Sequence, residues 1–448
     1  MSDLKPMNLG IESFQFLEQV HDPATGELRL SYRFDEGTVL EERIVFPYAP
    51  WPSDASRQRA FDAAASALHL IAGVSYYKAC VPPRMELGDH LLSPQLAQLL
   101  QQVYVDGLAE FALAHKLNLR ERVNFEPSRA QSPGSAPLGL PDRALVAIGG
   151  GKDSLVSLDL LRRAGVEVQP VCVGSSPLIA DTVRVAGLPL LQIDRKLSPI
   201  LGDMNDAGAL NGHVPVTAIN SAIIVCAAVL YGYKWVVFSN ERSAEEATRK
   251  TIDLGPVNHQ YSKSLAFEST FRRVVQENIS PEIEYFSLLR PWSELAVARH
   301  FARLKPFHPV FSSCNRNFHL EGTRLGNARW CQDCPKCRST TLALAPFLSP
   351  GEISGFMGAD LLNDPAQEQG FRALCGLGEE KPFECVGTIE ESRAALVHIA
   401  QQDEWCDAAL VTLLAPELVD ENVRPLQHFM TPSDAHCIPE ELQERAGL

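Results

Sequence analysis

The stretch VAIGGGKDS, residues 146–154, decides how the rest of the chain is read. A short apolar run ends in three glycines, followed by Lys152, Asp153 and Ser154. This pattern suits a strand that turns through a glycine loop into a helix. The first N–H groups of such a helix, and the positive end of its dipole, attract an anion. Two familiar phosphate loops do not fit. A P-loop needs Gly-Lys followed at once by Ser or Thr, whereas Gly151-Lys152 is followed by Asp153. The dinucleotide fingerprint needs a third glycine where this chain has Ser154. Asp153 would repel a phosphate, so it suits holding Mg²⁺ or fixing the loop. A tight glycine turn without a ligand is the bland alternative, and the Lys-Asp-Ser that follows disfavours it.

Working outward, the apolar run ALVAI and the helical DSLVSLDLLRRAG begin an alternation of strand and helix. It continues through VEVQPVCV, PLIADTVRVAGL, LLQID, NSAIIVCAAVLYG, YKWVVFSN, EIEYFSLL and SELAVARHFARL. Such alternation predicts an α/β fold, a doubly wound parallel sheet with helices on both faces. Upstream, residues 14–46 alternate apolar and polar, with turn signals at Asp22-Pro23 and Asp35-Glu36-Gly37, and predict a small antiparallel sheet. Helical patterns follow at 55–79 and 94–116. Residues 126–143 are dense in Pro, Gly and Ser and read as a linker. The expected organisation is therefore an N-terminal α+β region (1–125), the linker (126–143), a loop-bearing domain (144–344) and a mostly helical C-terminal region (345–448).

The chain has 448 residues, 40 basic against 55 acidic, for a net charge of −15. This acidic balance disfavours a nucleic-acid partner. The opening residues MSDLKPMNLG lack the apolar centre of a signal peptide, and AIIVCAAVL is too short to span a bilayer. A cytoplasmic protein with no membrane partner is expected. Its oligomeric state is not written in the sequence. Eleven cysteines without a secretion signal suggest reduced thiols or a metal site. Cys314 is followed, after sixteen residues, by CQDCPKC, which contains Cys331, Cys334 and Cys337. Two-residue gaps turn successive sulfurs toward one point, and a distant fourth closes a tetrahedral Zn²⁺ shell. An iron–sulfur cluster or free thiols are the alternatives. Four thiolates leave no open coordination position, so the role expected is structural.

Between these sites, GHVPVTAINSAI (212–223), FSNERSAEEA (238–247) and VNHQYSKSLAFE (257–268) carry polar residues near expected strand ends. Each residue alone is more simply a solvated surface group. Together, at the rim of an anion site, they are candidate substrate ligands.

The sequence GGGKDS resembles the SGGxDS pyrophosphate loop of the N-type ATP pyrophosphatase superfamily, with Gly149 in place of the first serine. That superfamily includes asparagine, GMP and NAD synthetases and the 7-cyano-7-deazaguanine synthases, which carry a similar cysteine cluster. The segments IGGGKDS, SNERSA, VNHQYSKS, SSCNRNF, WCQDCPKC and KPFECVGT together resemble the family of ATP-dependent UDP-N-acetylmuramoyl-L-alanyl-L-glutamate epimerases of peptidoglycan synthesis, over most of the chain. The resemblance implies an adenine nucleotide alpha hydrolase-like fold and an isomerase that converts ATP to AMP and pyrophosphate. It would invert the terminal L-Glu of the dipeptide nucleotide to D-Glu through an acyl-adenylate. The loop residues Gly149, Gly150, Gly151, Lys152, Asp153 and Ser154 would bind ATP and Mg²⁺. His259, Lys263 and Tyr261 are candidates for proton transfer, and Arg242 or Arg290 for binding carboxylate or phosphate.

Activation is chemically reasonable. Removing a proton next to a carboxylate would place two negative charges together. An acyl-adenylate removes one charge and supplies a carbonyl to hold the enolate, after which a base and an acid act on opposite faces. The rival readings are a carboxylate-adenylating ligase or amidating enzyme like the 7-cyano-7-deazaguanine synthases, and a non-catalytic nucleotide sensor.

Overall fold

The computed structural model describes residues 10–446 apart from 52–53, 131–133, 246–248, 252–254, 258–260, 318–324, 327, 379–380, 383 and 420. The N-terminal alternation forms β1 (Ser13–Asp22), β2 (Glu27–Phe34) and β3 (Leu40–Val45). Alternate residues, among them Phe14, Phe16, Leu28, Leu30 and Ile44, are buried, as the two-residue period of a strand requires. They share a core with α1 (Ala55–Ala72), whose first turn is capped by Asp54 accepting from the Arg57 amide. The helix expected over 55–79 is interrupted only at Gly73, which stays in the right-handed helical region, and a short helix, Val74–Tyr77, follows it directly. A side chain at Gly73 would come within 2.5 Å of the Phe16 ring. The short β4 (Arg84–Glu86) lies parallel to β1.

The second alternation builds β5 (Arg143–Ala147), α2 (Lys152–Arg163), β6 (Glu167–Val173), β7 (Leu191–Lys196), α3 (Val216–Tyr231) and β8 (Trp235–Phe238). After a small hairpin, β9 (Arg249–Thr251) with β10 (Gly255–Val257), come α4 (Leu265–Val274), β11 (Glu284–Ser287), α5 (Glu294–Phe301), α6 (Pro335–Leu344) and α7 (Ile389–Ile399). All four residues of β8 are buried, the mark of a strand covered on both faces.

Nine strands form one sheet in the order β11-β8-β5-β6-β7-β3-β2-β1-β4. β5, β6, β7, β8 and β11 are parallel. From β5 the chain moves one way to β6 and β7, then returns to place β8 and β11 on the other side. This reversal opens a crevice at the carboxyl ends of β5 and β8.

The sheet is mixed, where a parallel sheet and a separate small antiparallel one were expected. β3 pairs antiparallel with β7 through Arg43↔Lys196, Ile44↔Arg195 and Val45↔Asp194. The pairing satisfies backbone groups that would otherwise line an open edge of β7. It is fastened by fully buried Glu42, whose Oε1 accepts from Arg195 Nε at 2.7 Å. One apolar core runs from Phe14 to Tyr285. A second packs α2 and α5 against α6, α7 and the C-terminal helices. The positions expected as boundaries, at 126–143 and at 345, thus lie within the spans of these cores. Among the described residues no helix is long and apolar enough to cross a membrane.

Candidate functional site

Gly149, Gly150 and Gly151 join β5 to α2 at the crevice. Gly150 has φ +83°, a conformation that glycine adopts without strain. Gly151 opens α2 with no side-chain cap, which leaves the first N–H groups of the helix for a ligand. Ser154 is buried and its hydroxyl donates back to the Gly151 carbonyl at 3.3 Å, bracing the turn. In front of the loop lies a cleft of about 330 Å³. Gly149, Gly151, Asp153 and Ser154 form one wall of it; Thr217 and Asn220 of α3, and Ser239 and Asn240 after β8, form others. Lys263, Ser313 and Lys336 close one end.

A smaller chamber of about 70 Å³ adjoins that end and shares Asp153, Lys263 and Lys336 with the cleft. Glu241, Glu294, Lys152 and Cys385 also line it, beside the hydroxyls of Ser339 and Thr340. Lys152 is buried and donates to Asp153 and, at 2.9 Å, to Glu294 Oε2. Burial alone would lower its pKa, but the two carboxylates outweigh this and hold the ammonium well above its ordinary value. Lys152 therefore neutralises neighbours inside the protein and does not extend freely into the cleft. Glu241 is pushed up to about 8, first by burial and then by the charges of Glu294, Glu391 and Asp153, with Lys152 opposing. Glu294 is raised as well, chiefly by burial. Lys263 Nζ lies 3.7 Å from Cys385 Sγ.

The backbone of this chamber is pinned from behind. Arg290 and Glu268 form an ion pair at 3.0 Å, each side chain 1% exposed. Arg290 also donates to the main-chain carbonyls of Glu241, at 3.1 Å, and Lys263, at 2.6 Å. Buried, and lining neither the cleft nor the chamber, Arg290 anchors the wall.

The sulfurs of Cys314, Cys331, Cys334 and Cys337 all lie within 4.8 Å of one another, so this four-thiol cluster could hold a metal such as zinc. Cys334 opens α6, and Cys337 lies in its first turn. Cys334 Sγ lies 3.9 Å from Cys314 Sγ and 3.5 Å from Cys337 Sγ, and Cys331 Sγ lies 3.8 Å from Cys337 Sγ. The cluster is tied to the glycine loop. The Ser312 amide donates to the Gly150 carbonyl at 2.9 Å, and Ser313 Oγ lies 3.2 Å from Thr340 Oγ1 of α6.

The other predicted residues go to different places. Tyr261 donates its hydroxyl to Gln102 at 2.9 Å, facing the N-terminal helices and not the cleft. Arg242 lines a separate cavity of about 680 Å³ with Arg424, His428 and Thr388. Ser243 divides that cavity from the chamber, donating to Glu391 Oε1 at 2.8 Å and accepting from the Glu294 amide. His259 lies outside the described residues. Sequence reasoning missed Glu241, Glu294, Glu391, Lys336 and Cys385. Glu241, Lys336 and Cys385 stood inside quoted motifs, SNERSA, WCQDCPKC and KPFECVGT, but were not singled out there; Glu294 and Glu391 had no local signal.

The fold and site define an α/β protein with a glycine loop and a chamber of ionisable groups at the switch point of its sheet. A profile of the MurL N-terminal domain matches residues 7–288, and one of the MurL C-terminal domain matches 310–428. The chain is 45% identical, over 97% of its own length and 97% of the relative's, to the UDP-N-acetyl-alpha-D-muramoyl-L-alanyl-L-glutamate epimerase of Xanthomonas oryzae pv. oryzae. It is 43% identical to the epimerase of the same name from Salinispora tropica, over 90% of this chain and 88% of that one. A third, from a Micromonospora strain, is 40% identical over 96% of both chains. The chain belongs to the MurL epimerase family.

Proposed function

We propose that this chain inverts the terminal L-Glu of UDP-N-acetylmuramoyl-L-alanyl-L-glutamate to D-Glu, with ATP as co-substrate. The reading is supported by near full-length similarity to proteins named for this epimerisation. The observation that carries its ATP-dependent form is the uncapped glycine loop opening a cleft that ends in a chamber of ionisable groups. The fold is read as adenine nucleotide alpha hydrolase-like, with residues 144–344 as the nucleotide-binding unit.

The nucleotide lies in the 330 Å³ cleft in front of the loop, with its phosphates on Gly149, Gly150, Gly151 and Ser154. Asp153 would hold Mg²⁺, which would offset phosphate charge there, and Lys152 donates to Asp153 and keeps its carboxylate in place. A substrate carboxylate oxygen attacks the α-phosphorus and pyrophosphate leaves. In the resulting acyl-adenylate the acyl group beside the α-carbon no longer carries the carboxylate's charge, so its α-proton can be taken up by a side chain. A proton returned to the opposite face inverts the centre, and water then releases AMP and the free carboxylate. Lys263 and Lys336, at the phosphate end, offset the charge that develops there. Tyr261 and Arg242, candidates alongside Lys263 in the sequence reading, act at most outside this chamber.

Replacing Asp153 by Ala in a folded protein should lower substrate-dependent AMP release about 100- to 1000-fold, the usual cost of losing a group used in the transition state. Wild-type AMP release by that variant would refute the loop assignment. Inversion without ATP would refute the adenylation step.

We also propose that the four cysteines hold one structural zinc per chain. Such sites contribute roughly 10 kcal/mol to folding. Cys334→Ser should therefore lose the metal and solubility together. An iron–sulfur absorption band, or protein free of metal with an unchanged melting curve, would overturn this.

A further inference from the structure

The chamber beside the phosphate end holds ionisable groups that reach it from two different parts of the chain. Glu241 enters from the carboxyl end of β8, on the α/β side. Cys385 enters from the segment leading into α7, on the C-terminal side, with Lys263 Nζ 3.7 Å from its sulfur. Both residues line the same 70 Å³ space, which opens onto the cleft at Asp153 and Lys336. The space is large enough for a few heavy atoms, comparable to an α-carbon and its substituents and far too small for a nucleotide.

Inversion at carbon needs one group to take a proton from one face and another to supply a proton to the other face. On the reading of the chain as an ATP-dependent glutamyl epimerase, we propose that Glu241 and Cys385 are these two groups, with Lys263 holding the sulfur. In one direction, the sulfur takes the α-proton of the acyl-adenylate, the C–H electron pair moves into the enolate, and the Glu241 carboxyl gives its proton to the opposite face. In the reverse direction the roles exchange. No oxidant or further reactant is needed, and the side chains return to their starting state after the sulfur and carboxyl re-equilibrate with water.

Two features support the assignment. Glu241 faces Glu294, Glu391 and Asp153, with Lys152 and Lys381 as the opposing cations, and its carboxyl is pushed up to about 8, so it carries a proton at neutral pH. Arg290 grips the carbonyls of both Glu241 and Lys263, which makes it a positioning residue that fixes the two walls relative to each other.

The test follows α-deuterium uptake and stereochemistry in D₂O, starting separately from the L-Glu and the D-Glu nucleotides with ATP and Mg²⁺. Cys385→Ser and Glu241→Gln should each lower inversion at least 100-fold. Each variant should still exchange the α-proton of one diastereomer, and the two variants should retain opposite ones. Glu241→Asp and Cys385→Ala guard against misfolding, monitored by circular dichroism. Inversion within threefold of wild type in either Cys385→Ser or Glu241→Gln would overturn the pair, and so would retained exchange of the same diastereomer in both. Loss of AMP formation by a folded variant would overturn it as well, since the pair acts after adenylation. Failure of the wild-type protein to invert its substrate would instead refute the proposed function itself.

Discussion

Beneath the N-terminal strands, Ser66, His90 and His69 form a relay: Ser66 Oγ to His90 Nδ1 at 2.7 Å, His90 Nε2 to His69 Nδ1 at 2.9 Å, and His69 Nε2 to the Ser31 carbonyl at 3.0 Å. Burial keeps both rings neutral, and since the carbonyl can only accept, each later donor and acceptor in the chain is then settled. At the cleft, Glu241, Glu294, Glu391 and Asp153 instead crowd together, with Lys152 and Lys381 as opposing cations. Both regions are buried and polar. The relay matches every proton to a partner and avoids charge, which is the arrangement that stabilises a core. The chamber concentrates like charges that a core would exclude, which is how proteins poise groups for proton transfer.

The strongest way to break this contrast is to disturb what holds the charged chamber together. Glu268→Ala strands the buried Arg290 charge and should cost about 3–5 kcal/mol of stability. It should also depress inversion, because Arg290 then shifts from the carbonyls of Glu241 and Lys263. Chemical unfolding alongside a rate measurement checks both; a stability loss under about 1 kcal/mol would mean that the pair is not needed to hold the chamber.

The neutral relay predicts a pH effect. Burial, with the His90 charge second, pushes His69 down to about 3, and burial pushes His90 down to about 4. Both lie below the ordinary value of 6.5, so between these limits the unfolded chain binds more protons. The stabilisation is complete above about pH 6.5 and is lost as pH falls toward 3–4, by up to about 1.4 kcal/mol per pH unit for each histidine. Urea unfolding at pH 7 and pH 5 should show this fall. His90→Gln, which keeps an acceptor for Ser66 and a donor for His69, should reduce the slope by about one proton; an unchanged slope would place the titration elsewhere.

The smallest effect sharpens the other side. Glu391→Gln removes one charge facing Glu241 while keeping groups to bond Ser243 and the Thr388 amide. The limb of the pH–rate profile carried by Glu241 should move down by about one unit. A limb that does not move would belong to another group.

The contrast also explains what the sequence made legible. The loop at 149–154 could be read because strand, glycines and helix are adjacent in the chain, and the four cysteines because ligand spacing is local. The acidic chamber is not local. Glu241, Glu294 and Glu391 come from β8, the start of α5 and the first turn of α7, and a lone glutamate on a helix is ordinarily solvated. Tyr261 and Lys263 were equally plausible beside each other. Only the turn of the short helix Tyr261–Lys263 sends one toward Gln102 and the other toward Cys385. The helices and most strands followed their periodicity. The junction of β3 with β7 did not announce itself, because backbone pairing of two edges leaves no residue pattern.

That junction also bears on how the protein is made. Glu42 and Arg195 are separated by 153 positions along the chain. Contacts this distant are slow to form, since a long loop must close before they are rewarded. On the ribosome the first three strands emerge well before β7 exists, and the outer edge of β3 must wait without its partner. Completion of the sheet is therefore a late event in synthesis, and the interval before it is when the nascent chain is most exposed to pairing with the wrong edge.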